Sequence, residues 1–518
     1  PYPQRVPGSA EATDPRQYVP DLSERFNSLL LRAVSCNPTV HYHSARRFRQ
    51  DLLDLEEDYL QVTIPQAQLP GLELSTEEQG LVNYNPYVTR LLKLYSQARR
   101  DNSGTRGLDE IAHLTYVHTR LDRVLQPTIL DGGYRLVIIT GNAGDGKTAF
   151  IQNLEKAVEA QGSRVEHPTP NSSRFRYHGL EFIVNYDGSQ DEGTERANDQ
   201  VLNEFFAAFD NANFARVGKE TPMHLIAINE GRLVDFFSSL WGAGQGDSVA
   251  TQRFQKLGAC IQAYFERTNG ASGLPEWLLI VDLNQRSVIS PDPQEEGTSI
   301  FDRQLQALLK SELWTHCQGC ALQSRCFIKY NVDTLTDPVS GAAVRERLQV
   351  LFEIVHLRRQ LHITMRDLRS ALSWMLLRDH TCQDIASLLA SNASPAERLQ
   401  RLYFNAFGLE GAPNTGQGED RLVRLLRQID PAAVANPGVD RALHFRGLEG
   451  LPMLVFDSRS PLAGEWLEEW SQQSRSPAVH LQKHAYLRRL AFFERRDGGW
   501  RSMMPYRHWE RFENIVQQ

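Results

Sequence analysis

The chain has 518 residues, of which 41% are hydrophobic and 23% are charged, as in ordinary globular proteins. Its formal net charge of −7 argues against a global basic field for nucleic acid, and no apolar run reaches the roughly 18 residues that a membrane span needs. Six cysteines do not suggest a disulfide framework, so we expect a reducing, cytoplasmic compartment.

The first 60 residues predict two helices, at 22–36 and 44–60, separated by the break Asn37-Pro38. The stretches 29–38 (LLLRAVSCNP) and 42–48 (YHSARRF) resemble the C-terminal end of a bacterial-type Ser/Thr protein kinase domain. His41 stands where that family usually has a buried arginine. The resemblance implies a kinase module upstream in the same polypeptide, because no kinase catalytic motif occurs in this chain. A helical hairpin of other ancestry is the alternative.

Residues 61–104 are expected to form a linker followed by a helix at 86–100. A long helix is predicted over 108–125, leading to an apolar strand at 135–140.

A glycine-rich loop follows that strand and precedes an amphipathic helix. It consists of Gly141, Asn142, Ala143, Gly144, Asp145, Gly146, Lys147 and Thr148. The pattern G-x-x-x-x-G-K-[ST] between a strand and a helix is typical of a phosphate-binding P-loop. We expect its backbone amides to surround the phosphates of ATP, Lys147 to reach the β- and γ-phosphates, and Thr148 to bind Mg²⁺. An ordinary glycine turn is the alternative.

Three further apolar runs predict strands at 181–186, 223–228 and 277–281, with helices near 198–209, 233–240 and 250–268 between them. The alternation predicts an α/β fold in which a P-loop NTPase core forms a doubly wound parallel sheet. Ligands bind at the carboxyl ends of the strands in such sheets.

The strand end Leu225-Ile-Ala-Ile-Asn229-Glu230 resembles the Asp-Glu element of AAA+ and STAND ATPases. The resemblance implies that Glu230 orients the attacking water and that Asn284 senses the γ-phosphate. Asn229 replaces the usual Asp, so Asp187 or Asp282 is expected to supply the missing charge near Mg²⁺. Arg232 or Arg286 is a candidate arginine finger, although surface arginines are common.

A capping box at Thr364 and Asp367 predicts a helix to Leu377, which resembles the lid of AAA+ proteins. Arg366 or Arg369 is a candidate sensor in that lid.

Cys317, Cys320 and Cys326 have a spacing that suits a structural Zn²⁺ site. The fourth ligand is left open among His316, His356, His362, Cys260 and Cys382. Three free thiols are the alternative.

The stretch from 480 to 511 interleaves arginines with aromatic residues, namely Arg488, Arg489, Arg495, Arg496, Arg501, Arg507 and Arg511 with Tyr486, Phe492, Phe493, Trp500, Tyr506 and Trp509. It fits either nucleic-acid contact or, more often, a helix packed on its neighbours.

The predicted organisation is a kinase C-lobe fragment at 1–60, a linker and helix at 61–104, an ATPase core at 105–300, a cysteine-bearing insertion at 301–340, a helical lid at 341–390 and a mostly helical region at 391–518. Residues 105–390 resemble the ATPases of DNA phosphorothioation-dependent restriction, within the wider AAA+/STAND group of bacterial antiviral defence proteins.

The resemblance implies an Mg-dependent ATP hydrolase that acts as a conformational switch, forms a homo-oligomer and acts on DNA. A nucleotide-binding scaffold with little hydrolysis and a DNA-stimulated motor are the alternatives, and a nucleotide kinase is a weaker one.

Overall fold

The structure is a computed structural model, and the residues that it describes form one sheet and many helices. These are residues 14–17, 24–35, 48, 85–92, 94, 114–191, 197–239, 253–266, 273–292, 297–358, 362–391, 393–408, 420–433, 436–446, 466, 469, 477–495 and 498–504. The chain divides into two compact units, residues 1–73 and 74–518. In these stretches no helix has the length and apolar character to cross a membrane.

The first unit contains the helix α1, Glu24–Val34, after a 3₁₀ turn at Pro15–Gln17. Leu29 is buried, and Phe26, Ala33 and Phe48 pack around it. The predicted first helix is therefore present. The kinase-like turn and the predicted second helix lie outside the described residues except for Phe48, so that resemblance stays a prediction.

The second unit is built on a six-stranded sheet with the order β2-β3-β4-β5-β1-β6. The strands are β1 Leu136–Thr140, β2 Val165–Thr169, β3 Ser172–Tyr177, β4 Leu180–Asn185, β5 Met223–Ile228 and β6 Leu278–Asp282. The strands β4, β5, β1 and β6 run parallel, whereas β3 is antiparallel to both β2 and β4. The α/β prediction is confirmed, but the sheet is mixed rather than wholly parallel because the turns before β3 and β4 are too short for crossover helices.

Helices cover both faces of this sheet. On one face lie α3 (Gln126–Leu130) and α4 (Lys147–Glu159), and on the other lie α5 (Asn198–Phe205), α6 (Glu230–Ser239) and α7 (Gln255–Phe265). Every residue of β1 and β5 is buried, as expected for central parallel strands packed on both faces. The same two strands carry the loop at 141–148 and the pair Asn229-Glu230.

The single helix predicted over 108–125 is wrong in its middle. Residues 116–119 are not helical, and a π-helical turn at Leu121–Leu125 then leads into α3. The Asp122 carboxylate accepts hydrogen bonds from the Thr119 amide (2.7 Å) and from the Tyr116 hydroxyl (2.6 Å). The bond from the Thr119 amide to Asp122, and that from the Leu121 amide to the Thr119 hydroxyl (3.3 Å), cap the helical turn that starts after Thr119.

The remaining helices surround a second, larger hydrophobic core. They are α2 Pro86–Leu92, α8 Ile300–Leu308, α9 Ser311–Trp314, α10 Phe327–Thr336, α11 Ser340–Leu357, α12 Met365–Leu377, α13 Cys382–Ala390, α14 Pro395–Leu399, α15 Arg421–Arg427, α16 Pro437–Arg446 and α17 Pro477–Glu494. Short 3₁₀ turns join several of them. One continuous core joins α2, the cysteine-bearing segment, the lid helix α12 and the C-terminal helix α17.

Candidate nucleotide-binding site

The loop at residues 141–148 joins the carboxyl end of β1 to the amino end of α4. Gly144 and Gly146 have φ angles of 102° and 92°, a conformation that other residues rarely adopt. A Cβ atom at Gly144 would lie 2.8 Å from the Cβ of Arg366, whereas one at Gly146 would meet nothing within 4 Å. One glycine of the loop therefore contacts the first turn of the lid helix α12.

The Lys147 ammonium bridges the loop and the neighbouring strand. Its Nζ donates to the carbonyl oxygens of Gly141 (2.7 Å) and Asn142 (2.8 Å) and to Oδ1 of Asn229 (3.2 Å). All three acceptors are neutral, so they leave the positive charge of the ammonium uncancelled. A phosphate oxygen would bind this donor more strongly than these oxygens do because it carries a negative charge of its own.

Charged groups of both signs act on the Lys147 ammonium beside the loop. Burial lowers the pKa of Lys147, the carboxylates of Asp145 and Asp187 raise it, and the guanidinium of Arg366 lowers it further. Arg366 is exposed, and its backbone amide donates to the carbonyl of Gly144 (3.1 Å). Two cations near a helix N-terminus repel each other, and an anion bound between them would relieve that repulsion.

The strand end after β5 forms the wall opposite the loop. A cleft of about 490 Å³ is lined by Gly141, Asn142, Ala143, Asn229, Glu230, Gly231 and Val234. Within it, Oε2 of Glu230 accepts a hydrogen bond of 2.5 Å from Nδ2 of Asn284, which follows β6. Asn229 therefore touches Lys147 directly, whereas Asn284 orients Glu230.

The hydroxyl of Thr148 lies beside the end of β4. It donates to the carbonyl of Tyr186 (3.1 Å), next to Asp187. The Tyr186 hydroxyl donates to the buried carboxylate of Glu155 on α4, at 2.8 and 2.9 Å to its two oxygens, and burial raises the pKa of Glu155. Glu155 on α4 therefore holds Tyr186, whose carbonyl accepts from the Thr148 hydroxyl, at the carboxyl end of β4.

Of the two predicted acidic candidates, only Asp187 influences Lys147. The carboxylate of Asp282 accepts from the Asn284 amide (2.9 Å) and from the Gln285 side chain (2.9 Å), and so caps the turn after β6. Asp187 also accepts from its own loop, from the Ser189 amide and the Gln190 side chain.

Asp145 points into the protein rather than towards the cleft. Its buried carboxylate accepts from the Asn142 amide (2.7 Å) and lies 3.3 Å from Nε2 of His362, while its backbone carbonyl accepts from Arg286 (2.7 Å). The hydrogen bond to Asp145 raises the pKa of His362. His362, which precedes α12, and Arg286, which follows β6, therefore hold the loop in place through Asp145. The sequence pattern did not predict these contacts.

A second cavity, of about 50 Å³, lies on the other side of the loop. Asp145 and Gly146 line it, together with Tyr116, Val117, Thr119, Leu121, Ala149, Phe150, Arg286, Gln304, Met365 and Arg369. Arg369 donates to the Thr115 hydroxyl (3.1 Å), and Gln304 donates to the Thr115 carbonyl (3.3 Å). The helix α12 and the segment at 116–119 therefore both form walls of this cavity.

The candidate finger arginines are both engaged within the chain. Arg232 donates to Asn198 (2.6 Å) and pairs with Asp199 and Asp235, so it faces α5. Arg286 is turned towards the Asp145 carbonyl. Among the four candidate arginines, Arg366 is the one whose charge acts on Lys147.

Two arginines of the C-terminal stretch are also used internally. Arg489 is 2% exposed and pairs with the buried Asp430 at 2.5 Å, and Arg488 pairs with Asp440 at 2.5 Å. Their helix α17 packs in the helical core, as in the packed-helix interpretation. Arg496, Arg507, Arg511, Tyr506 and Trp509 lie outside the described residues.

Compared with known proteins, the chain matches no protein-family model, no curated protein and no solved structure.

Proposed function

We propose that this chain binds and hydrolyses Mg-ATP through a P-loop of the doubly wound NTPase type. The observation that carries the proposal is the Lys147 ammonium, which is held at the start of α4 by three neutral oxygens from Gly141, Asn142 and Asn229, residues that line a cleft. The amides of the loop and the N-terminus of α4 add partial positive charge at the same place. The residue types and their spacing match what a triphosphate requires.

Thr148 and Asp187 are the residues that would hold Mg²⁺. Both offer the hard oxygen donors that this ion prefers, and the Thr148 hydroxyl bonds to the carbonyl of Tyr186, the residue before Asp187. Bound Mg²⁺ neutralises charge that develops on the β- and γ-phosphates. The Thr148 hydroxyl could bind the ion through an oxygen lone pair while its proton stays bonded to the Tyr186 carbonyl, and Glu155 holds Tyr186 in place.

Glu230 is the candidate for orienting the attacking water, and Asn284 fixes its carboxylate by donating to one of its oxygens. Asn229 bonds to Lys147 and so is suited to respond to the γ-phosphate. Asn229 stands where the usual metal-binding Asp would be but brings no charge. We assign that charge to the carboxylate of Asp187, one of the two residues expected to supply it, because it is the one that acts on Lys147. This assignment favours a hydrolysing enzyme over a scaffold with little hydrolysis.

The nucleoside end is assigned to the small cavity behind the loop. Gly141 to Ala143 line the cleft, whereas Asp145 and Gly146 line the cavity, so the two spaces lie at opposite ends of the loop. The lid residues Met365 and Arg369 would then respond to the base, and Arg366 to the phosphates. Such coupling of a nucleotide to α12 would make the chain a conformational switch. A kinase-linked role in bacterial defence rests on the sequence resemblance alone.

Binding of ATP by the Lys147→Ala variant tests this proposal. We expect the affinity for ATP to fall roughly 10- to 150-fold, which corresponds to the loss of one charged hydrogen-bond donor. The matched control is Lys156→Ala, which removes an exposed lysine from the same helix and should leave affinity unchanged. Undiminished affinity in the Lys147 variant, measured by calorimetry on folded protein, would refute the proposal.

A further inference from the structure

Four cysteines from three places in the chain come together at the end of the helical core. Cys317 and Cys320 flank a tight turn, Cys326 precedes α10, and Cys382 is the first residue of α13. All four are free thiols and half-buried. Hydrogen bonds connect the three places. The Gln323 amide donates to the Cys320 carbonyl (3.0 Å) and the Cys326 amide donates to the Gln323 carbonyl (3.4 Å), while Asn85 bonds to both Cys317 and Cys382.

The turn between Cys317 and Cys320 has a defined geometry. Gln318 has φ −72° and ψ 127°, Gly319 has φ 76°, and the Cys320 amide donates to the Cys317 carbonyl at 3.4 Å. These are the features of a type II turn, which requires glycine at its third position. The turn brings both flanking cysteines close together, as a two-residue spacer between metal ligands does.

Nitrogen donors are directed at three of the sulfurs. The side-chain amide of Asn85 donates to Sγ of Cys317 (3.4 Å), and the Lys329 amide donates to Sγ of Cys326 (3.5 Å). The backbone amide of Asn85 lowers the pKa of Cys382 through a hydrogen bond. Asn85 is itself buried and anchored to the Leu313 carbonyl at 2.6 Å. Such donors favour thiolates, the form of cysteine that binds metals.

These cysteines are withdrawn from solvent. All four are half-buried, and Cys317, Cys326 and Cys382 pack against the helical core. A structural zinc site is closed to solvent in the same way.

The other residues considered as a fourth ligand lie elsewhere. His316 is exposed and packs against Tyr87. His362 is hydrogen-bonded to Asp145, and His356 interacts with His362. Cys260 belongs to the core on one face of the sheet.

We propose that Cys317, Cys320, Cys326 and Cys382 bind one zinc ion. As the side chains now stand, no three metal-ligating groups of the described residues surround a common position, so the cysteines must rotate about their Cα–Cβ bonds to bind. Zinc with four thiolates is tetrahedral and structural. The ion would join the segment at 315–326 to the start of α13, and Asn85 would link this centre to α2.

The metal content of the purified full-length chain tests this site, together with two cysteine variants. About one zinc per chain is expected in the wild type and in Cys260→Ser, and close to none in Cys382→Ser. Zinc retained in Cys382→Ser would remove that residue from the site. Absence of metal from the wild type, or iron with inorganic sulfide in its place, would overturn the zinc assignment.

A second measurement covers the case in which Cys382→Ser does not fold. The wild type, stripped of metal under reducing conditions, is titrated with Co²⁺ and its visible spectrum is recorded. Intense absorption from tetrahedral cobalt bound to thiolates, reaching its endpoint at one ion per chain and displaced by Zn²⁺, supports the site. A spectrum of octahedral, oxygen-bound cobalt would contradict it.

Discussion

Replacing Gly144 by Ala is expected to push α12 away from the glycine-rich loop at 141–148. The new methyl group would lie 2.8 Å from Cβ of Arg366 and 3.0 Å from Oγ1 of Thr364, closer than packed atoms approach. Its φ of 102° is also unfavourable for alanine. We estimate about 1–2 kcal/mol for the backbone strain and about 1–3 kcal/mol for the overpacking, a destabilisation of roughly 2–5 kcal/mol.

Gly146→Ala is the matched control. Gly146 has a φ of 92° and lies in the same loop, but a Cβ atom there would meet nothing within 4 Å. It should therefore cost only the backbone strain of about 1–2 kcal/mol. The difference between the variants, about 1–3 kcal/mol, isolates the contact between the loop and the lid.

Urea denaturation without nucleotide measures both variants. With an m-value of about 3 kcal/mol/M, the midpoint of Gly144→Ala should lie roughly 0.3–1 M below that of Gly146→Ala. Hydrogen exchange gives a local readout, because the Arg366 amide, which donates to the Gly144 carbonyl at 3.1 Å, should exchange faster only in Gly144→Ala. Equal midpoints and unchanged exchange in α12 would refute this account of the contact.

Two further outcomes follow from the same region. The pKa of His362 is raised in the folded state by its hydrogen bond to Asp145, so the stability that this pair adds is fully present below the unfolded pKa of about 6.5 and is lost as the pH rises through the folded value. Urea midpoints should therefore separate wild type from His362→Gln most at about pH 6 and least at alkaline pH; a constant gap would contradict this. Asp187→Asn should raise the Mg²⁺ concentration needed for ATP hydrolysis by roughly 10-fold or more, whereas Asp282→Asn should not; equal Mg²⁺ requirements in both variants would exclude Asp187 from the metal site.

Much of the sheet could be predicted because its central strands are apolar along their whole length. Because both faces of these strands are buried, apolar and polar residues do not alternate along them. Short apolar runs between polar segments, such as 136–140 and 223–228, therefore indicate the strands. The sequence does not predict the hairpin formed by β2 and β3. The strand β2 is mostly exposed and contains Pro168, and in β3 the alternation of buried Phe175 and Tyr177 with exposed Arg174 and Arg176 spans only a few residues.

The site could be predicted in part. Local spacing identified the loop, and the capping box at Thr364 and Asp367 predicted the start of α12 correctly. The order of the strands in a sheet cannot be deduced from local sequence. Only the fold therefore shows which of Asp187 and Asp282 acts on Lys147. The place of Cys382 beside Cys326 depends in the same way on how α13 returns to α10.

The narrowness of the space behind the loop has a kinetic consequence. At about 50 Å³ it is far smaller than the several hundred cubic ångströms of an ordinary ligand pocket. If a base occupies it, Met365 and Arg369 must first swing outwards, and only the open fraction of molecules can capture a nucleotide. Association would then be slower than diffusion allows, and the apparent dissociation constant would rise in inverse proportion to that fraction. Any partner that holds α12 open would accelerate nucleotide exchange without touching the phosphates.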